Sequence, residues 1–109
     1  MPHYLYRIEP TRPAMLADGP TAQEAEAVAA HFDYLRAHAE RGVLFMAGRT
    51  LPAHGSSFGL ALFSAPSDAA AQAFLDEDPA LQRGVMKGEV FPFRVALWAG
   101  DPLAPCDAD

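Results

Sequence analysis

His31 is the residue of this chain whose type and position could best support proton transfer. It lies in a segment with the apolar spacing of a helix, about 80 degrees from the centre of the apolar stripe. A histidine at such a border can line a pocket while a neighbour orients its second ring nitrogen, and imidazole titrates near neutral pH. From its position alone, an ordinary boundary histidine is the more economical interpretation.

Asp78 is the second candidate, and it directly precedes Pro79. Proline suits the first turn of a helix, so the Asp78 side chain can cap a short turn that begins at Pro79. A carboxylate that caps a helix keeps one oxygen free to orient another group. Capping alone would still explain Asp78, because the local sequence offers it no partner.

The remaining histidines and the single cysteine do not form a recognisable site. His38 follows His31 by seven residues, and the helical rise separates the two Cα atoms by roughly 10 Å, too far for one metal ion to bind both rings easily. His3 and His54 are isolated, and one cysteine, Cys106, cannot form an internal disulfide or a multi-thiolate site. We therefore expect no metal site.

Composition narrows the classes of partner. Eight Lys and Arg against fourteen Asp and Glu give a formal net charge of -6, which disfavours nucleic acid and anionic membranes. No apolar run approaches the roughly 18 residues of a membrane span, and the N-terminus lacks the pattern of a signal peptide. The expected location is cytoplasmic.

The first half of the chain predicts a strand, a long connection, a helix and a second strand. Alternation over 3–8 indicates the first strand, and 9–20 is predicted to be a loop. Thr21 and Glu24 match a capping box, and Gly42 ends the helix. An apolar run over 43–47 predicts a strand covered on both sides. The predicted core stripe of the helix comprises Ala25, Val28, Ala29, Phe32, Leu35 and Ala39.

The second half repeats a strand, a helix and a strand. Residues 58–63 are predicted to form the third strand, and Ser67 caps a helix that ends near Asp78. A short turn follows from Pro79. The last strand is predicted over 89–98, where Pro92 indicates an edge position or a bulge.

This β-α-β-β-α-β order predicts an α+β fold with a four-stranded antiparallel sheet and both helices on one face. The other face of the sheet needs a cover, which a second copy would supply, so we expect a homodimer formed by sheet-to-sheet packing. Residues 1–98 are predicted to form one domain, and 99–109 a flexible tail.

The order and spacing of several short motifs resemble those of the YCII-related domain family. No single motif is specific, but together they extend over most of residues 1–98. The motifs are His31-Phe32-x-Tyr34-Leu35, Ala39-Glu40-x-Gly42-Val43-Leu44, Ala47-Gly48, the run from Ala69 to Asp78-Pro79, Ala80-x-x-x-Gly84-Val85 and Val90-x-Pro92-Phe93.

The resemblance implies a ferredoxin-like fold of the dimeric α/β barrel group and a small lyase or isomerase that needs no cofactor. It implies a catalytic acid–base pair at His31 and Asp78, acting on a small cyclic or carbonyl-bearing molecule. Arg12 and Arg49 are candidate anchors for an anionic substrate. The candidate apolar pocket walls are Met46, Phe58 and Phe63.

A non-catalytic dimeric module that binds a small molecule remains the alternative. It predicts that His31 and Asp78 are apart, or that capping uses Asp78 fully. A separation beyond about 5 Å without a bridging water would exclude the pair on geometry.

Overall fold

The computed structural model of this chain describes residues 1–52 and 56–100. His54, Cys106 and the predicted tail from residue 101 onward lie outside the described residues. Within the described ranges, the chain forms four strands and four helices. In chain order they are β1 (His3–Pro10), α1 (Ala14–Asp18), α2 (Ala22–Glu40), β2 (Leu44–Arg49), β3 (Gly59–Ser64), α3 (Asp68–Asp76), α4 (Pro79–Gln82) and β4 (Met86–Phe93).

The strands form one antiparallel sheet in the order β2-β3-β1-β4. This confirms the predicted α+β, ferredoxin-like topology. Strand β4 pairs only with β1 and therefore lies at an edge of the sheet. Pro92 has no amide hydrogen, and an edge strand tolerates proline because one of its sides has no neighbouring strand.

The predicted bounds of the last strand were wrong at both ends. Strand β4 begins at Met86, opposite Pro10, and ends at Phe93, opposite His3. Because β1 starts at His3, residues 94–98 have no strand to pair with. The Trp98 ring instead lies edge-on to the His3 ring, with 6.4 Å between centroids.

The core lies between the sheet and the helices, on one face of the sheet. Alternation along β1 directs Tyr4, Tyr6 and Ile8 to this face, where all three are buried. The Phe63 ring from β3 contacts the Phe74 ring from α3, with 4.3 Å between centroids. Such aromatic pairs contribute about 0.5–1.5 kcal/mol beyond the area they bury.

Helix α2 begins with the predicted capping box. The Thr21 hydroxyl accepts from the Glu24 amide at 3.2 Å, and the Glu24 carboxylate accepts from the Thr21 amide at 2.8 Å. The helix ends at Glu40, and Gly42 follows with φ +75°, the left-handed conformation that favours glycine.

The buried face of α2 differs from the predicted stripe. Ala25, Ala29, Phe32 and Ala39 are exposed, whereas the buried residues are Glu24, Ala27 and Leu35. Polar side chains can lie on this buried face because their polar atoms form hydrogen bonds with other parts of the fold. Tyr34, for example, donates from its hydroxyl to the Phe74 carbonyl at 2.8 Å. His31 therefore points inward.

Two further local predictions were wrong. The connection after β1 contains the short helix α1, whose Met15 is buried. Strand β2 is not covered on both sides: Leu44 is buried, but the residues from Met46 to Arg49 are exposed. Strand β2 pairs only with β3 and forms the second edge of the sheet. No helix in the described part of the chain is long and apolar enough to cross a membrane.

Candidate functional site

His31 and Asp78 are in direct contact. Nδ1 of His31 lies 2.6 Å from Oδ2 of Asp78, well inside the limit set from the sequence. Helix α2 supplies the histidine, and the junction of α3 and α4 supplies the aspartate. The Asp78 side chain is fully buried, whereas 14% of the His31 side chain remains exposed. The pair thus joins a buried carboxylate to a partly accessible imidazole.

Asp78 also caps α4, as the Asp-Pro sequence predicts. Its Oδ1 accepts from the Ala80 amide at 2.9 Å, and its Oδ2 accepts from the Tyr6 hydroxyl at 3.2 Å. The two oxygens have different partners: Oδ1 caps the start of α4, and Oδ2 contacts His31 and Tyr6. Capping therefore does not compete with the contact to His31.

Tyr6 is a third member of this cluster that the sequence did not single out. Its hydroxyl is buried, and burial first and the Asp78 charge second raise its pKa well above the ordinary value. The hydroxyl therefore stays protonated and can donate to Asp78. Its alternation in β1 predicted a core position, but nothing local in the sequence indicated its partner 72 residues away.

His31 lines a cleft of about 700 Å³ between α2 and the β2–β3 side of the sheet. A volume of this size suits a small molecule, and most of the lining is apolar. The apolar lining residues include Met15, Leu16, Val28, Phe32, Leu35, Leu44, Phe45, Met46, Phe58, Leu60 and Met86.

Three of the predicted binding residues line this cleft, and two do not. Met46, Phe58 and Arg49 are part of the lining. Phe63 is not: it is fully buried in the core, because its register opposite Tyr4 directs it toward α3 rather than into the cleft. Phe63 therefore serves as a packing residue.

Arg12 is held by Glu24 and is absent from the cleft lining. Its Nε and a terminal nitrogen contact the two Glu24 oxygens at 2.9 and 2.6 Å, and the same terminal nitrogen donates to the Gly19 carbonyl. The Arg12 bond, followed by the Thr21 amide, lowers the pKa of Glu24 to about 2. Arg12 thus fastens the connection to the start of α2, which leaves its predicted anchoring role without support from its position.

Arg36 is a cleft residue that sequence reasoning missed. It lines the cleft together with Arg49. Its guanidinium carbon lies 4.7 Å from the centroid of the Phe32 ring. The i, i+4 spacing of Phe32 and Arg36 was the available signal.

No group of three or more His, Cys, Asp or Glu side chains that could hold a metal ion occurs among the described residues. The titratable side chains that meet in this cluster are those of His31, Asp78 and Tyr6.

Comparison with known families places the chain. The profile of the YCII-related domain matches residues 4–94. The chain belongs to this family. The match includes all of β1 after His3, all of α2 and the Asp78-Pro79 junction, and therefore every residue of the His31–Asp78–Tyr6 cluster.

A solved structure with a similar fold is 5-chloro-2-hydroxyhydroquinone dehydrochlorinase from Burkholderia phenoliruptrix AC1100, in complex with 2,5-dihydroxybenzoquinone. The TM-score is 0.61 at 19% identity, over 84% of this chain and 93% of that one. The likeness supports the ferredoxin-like fold of this YCII-related chain. A search of curated protein sequences finds no match.

Proposed function

We propose that this YCII-related protein is a cofactor-independent lyase or isomerase in which His31 transfers a proton and Asp78 orients it. The observation that supports this proposal most directly is the 2.6 Å contact between Nδ1 of His31 and Oδ2 of Asp78 at the wall of the cleft. The related dehydrochlorinase, whose structure holds a small quinone, agrees with a reaction of this class.

The contact to Asp78 would fix the tautomer of His31. An ionised carboxylate only accepts hydrogen bonds, so facing it favours the proton on Nδ1. The second nitrogen, Nε2, then carries the lone pair and serves as the base. The Ala80 amide and the Tyr6 hydroxyl donate to Asp78 as well, which holds the carboxylate in place as His31 gains charge.

The proposed reaction begins with the transfer of one proton from the substrate to Nε2 of His31. Nε2 accepts a proton from a carbon or hydroxyl next to a carbonyl group of the substrate, and the electron pair of the broken bond moves into the conjugated system. In an isomerase, the imidazolium returns the proton to another carbon; in a lyase, the electron pair expels a leaving group. General acid–base catalysis of this kind contributes about 10²–10⁴-fold.

Solvent-deuterium exchange tests the proposal. A thermal-shift screen of small cyclic carbonyl compounds first identifies ligands, since a binder raises the midpoint by mass action. We then expect the wild type to exchange an acidic C–H of a bound ligand for deuterium, and His31→Gln to slow that exchange by about 10²-fold or more.

His38→Gln is the matched control for this experiment. His38 is on the same helix, its Nδ1 contacts the Tyr34 carbonyl at 2.8 Å, and it does not line the cleft. Exchange that survives His31→Gln at the wild-type rate would refute the catalytic role. A cleft that binds ligands but exchanges none of their protons would favour the non-catalytic binding module.

We also propose that two copies pair through the sheet face opposite the helices. This face carries Phe91 and Phe93, which are 42% and 43% exposed. Exposed apolar side chains on one surface of a small chain are typical of an interface. Sedimentation at micromolar concentration should give twice the chain mass of 11.7 kDa, and a monomer would contradict the pairing.

A further inference from the structure

The charge of the cleft differs in sign from the charge of the whole chain. Acidic residues outnumber Lys and Arg by fourteen to eight, yet the described residues that line the cleft include Arg36 and Arg49 and neither Asp nor Glu. Asp78 lies behind His31, fully buried and outside the lining. A ligand in the cleft therefore meets positive groups and apolar walls.

Both arginines are available to a ligand. Among the described residues, neither Arg36 nor Arg49 forms an ion pair with a carboxylate, in contrast to Arg12, which Glu24 binds through two contacts. Arg36 comes from α2 and Arg49 from the end of β2, so the two approach the cleft from different elements. Cationic groups without a carboxylate partner at an apolar cleft are suited to bind an anion.

The apolar part of the lining indicates what the uncharged part of the ligand looks like. Phe32 from α2 brings an aromatic ring to the cleft beside Leu35 and Leu44, and Met15 and Met86 add side chains that adapt to shape. Flat unsaturated rings pack well against such walls. A purely polar anion, such as inorganic phosphate, would leave most of this surface without a partner.

We propose that the cleft binds a small ring-bearing organic anion, with its ring against the apolar walls and its negative group, a carboxylate or an ionised hydroxyl, at Arg36 and Arg49. The inference rests on the proposed function for the choice of site and names its substrate class. A ring that carries a carbonyl group next to a hydroxyl or a saturated carbon also has the acidic hydrogen that His31 would need.

A pair of fluorescent probes tests this inference without any turnover. The probes are 8-anilino-1-naphthalenesulfonate and its neutral counterpart N-phenyl-1-naphthylamine, which differ only in the sulfonate. Their dissociation constants are measured for the wild type, the double variant Arg36→Gln/Arg49→Gln and Arg94→Gln. Arg94 is the matched control, because it is an exposed arginine outside the cleft lining.

We expect the double variant to weaken the anionic probe by about fivefold or more, as charge-assisted hydrogen bonds are lost. The neutral probe should change by less than about twofold, and Arg94→Gln should leave both probes unchanged. A double variant that does not fold, judged by circular dichroism, is replaced by the two single variants, each expected to weaken the anionic probe by about twofold or more.

The inference would be overturned if the anionic probe did not bind the wild type, or if the cleft variants lost less affinity for it than the factors given above. It would also be overturned if the affinity for the neutral probe fell as much, or if Arg94→Gln weakened the anionic probe equally. Neither probe requires proton transfer. Failure here would therefore leave the role of His31 open, while failure of the exchange experiment would leave the anion specificity intact.

Discussion

The replacement Asp78→Asn separates the orienting role of the carboxylate from its role in folding. The side-chain shape is retained, so the carbonyl oxygen of the substituted amide can still accept from the Ala80 amide, which Asp78 binds at 2.9 Å. The position facing His31 and Tyr6 becomes an amide nitrogen, which donates instead of accepting. His31 must then accept through Nδ1 and carry its proton on Nε2, so the nitrogen assigned as the base loses its lone pair.

The magnitudes expected for catalysis and stability differ widely. Proton transfer should slow by about 10²–10⁴-fold, since the general base is held in the wrong tautomer. The free energy of unfolding should fall by only about 1–3 kcal/mol, because the cap is kept while the Tyr6 hydroxyl loses an ionised acceptor. Each kcal/mol corresponds to a midpoint shift of about 4–8 °C in a chain near this size.

The assay combines deuterium exchange of a bound ligand with thermal unfolding. Asp76→Asn is the matched control, because Asp76 is an exposed carboxylate that contacts Gln72 and lies outside the cleft lining. An Asp78→Asn protein that exchanges protons within about threefold of the wild type would refute the orienting role. A loss of exchange explained entirely by unfolding would contradict the small stability cost predicted for this variant.

Two further predictions concern Glu24, which binds Arg12, and Phe63, neither of which lines the cleft. Glu24→Gln should reduce stability at neutral pH but not near pH 2. The pKa of Glu24 is lowered from an ordinary 4.5 to about 2, so its ionised form stabilises the fold. This stabilisation is complete above pH 4.5 and is lost as the pH falls through 2. Urea unfolding of the wild type and variant across this range checks it, and a constant difference at every pH would contradict it. Phe63→Ala should cost about 3–5 kcal/mol of stability in the same assay, as expected for a buried aromatic residue, while Phe58→Ala should cost less; equal costs would contradict a core position for Phe63 alone.

Much of the fold could be predicted because its signals are local. The capping box at Thr21 and Glu24, the cap at Asp78 and the alternation in β1 each depend on residues a few positions apart. The order of elements then leaves few topologies for a sheet of this size. Helix α1 was missed because prolines and a glycine surround its five residues and make the segment resemble a loop.

The buried face of α2 could not be read from hydrophobicity, because alanines occupy both sides of the helix. Burial of Glu24 depends on its ion pair with Arg12, and the inward orientation of His31 depends on its contact with Asp78. These partners lie 12 and 47 residues away in the chain, so no local pattern reveals them. The same reason hid Tyr6 and left Arg12 as a candidate anchor.

The tautomer of His31 in the free wild-type protein tests the central claim most directly. Long-range proton–nitrogen NMR of a histidine-labelled sample, at about pH 8.5 where an ordinary imidazole is neutral, distinguishes the two ring nitrogens. We predict a proton on Nδ1 and a bare Nε2 for His31, reversed in Asp78→Asn. A wild-type His31 with its proton on Nε2 would contradict the proposed base.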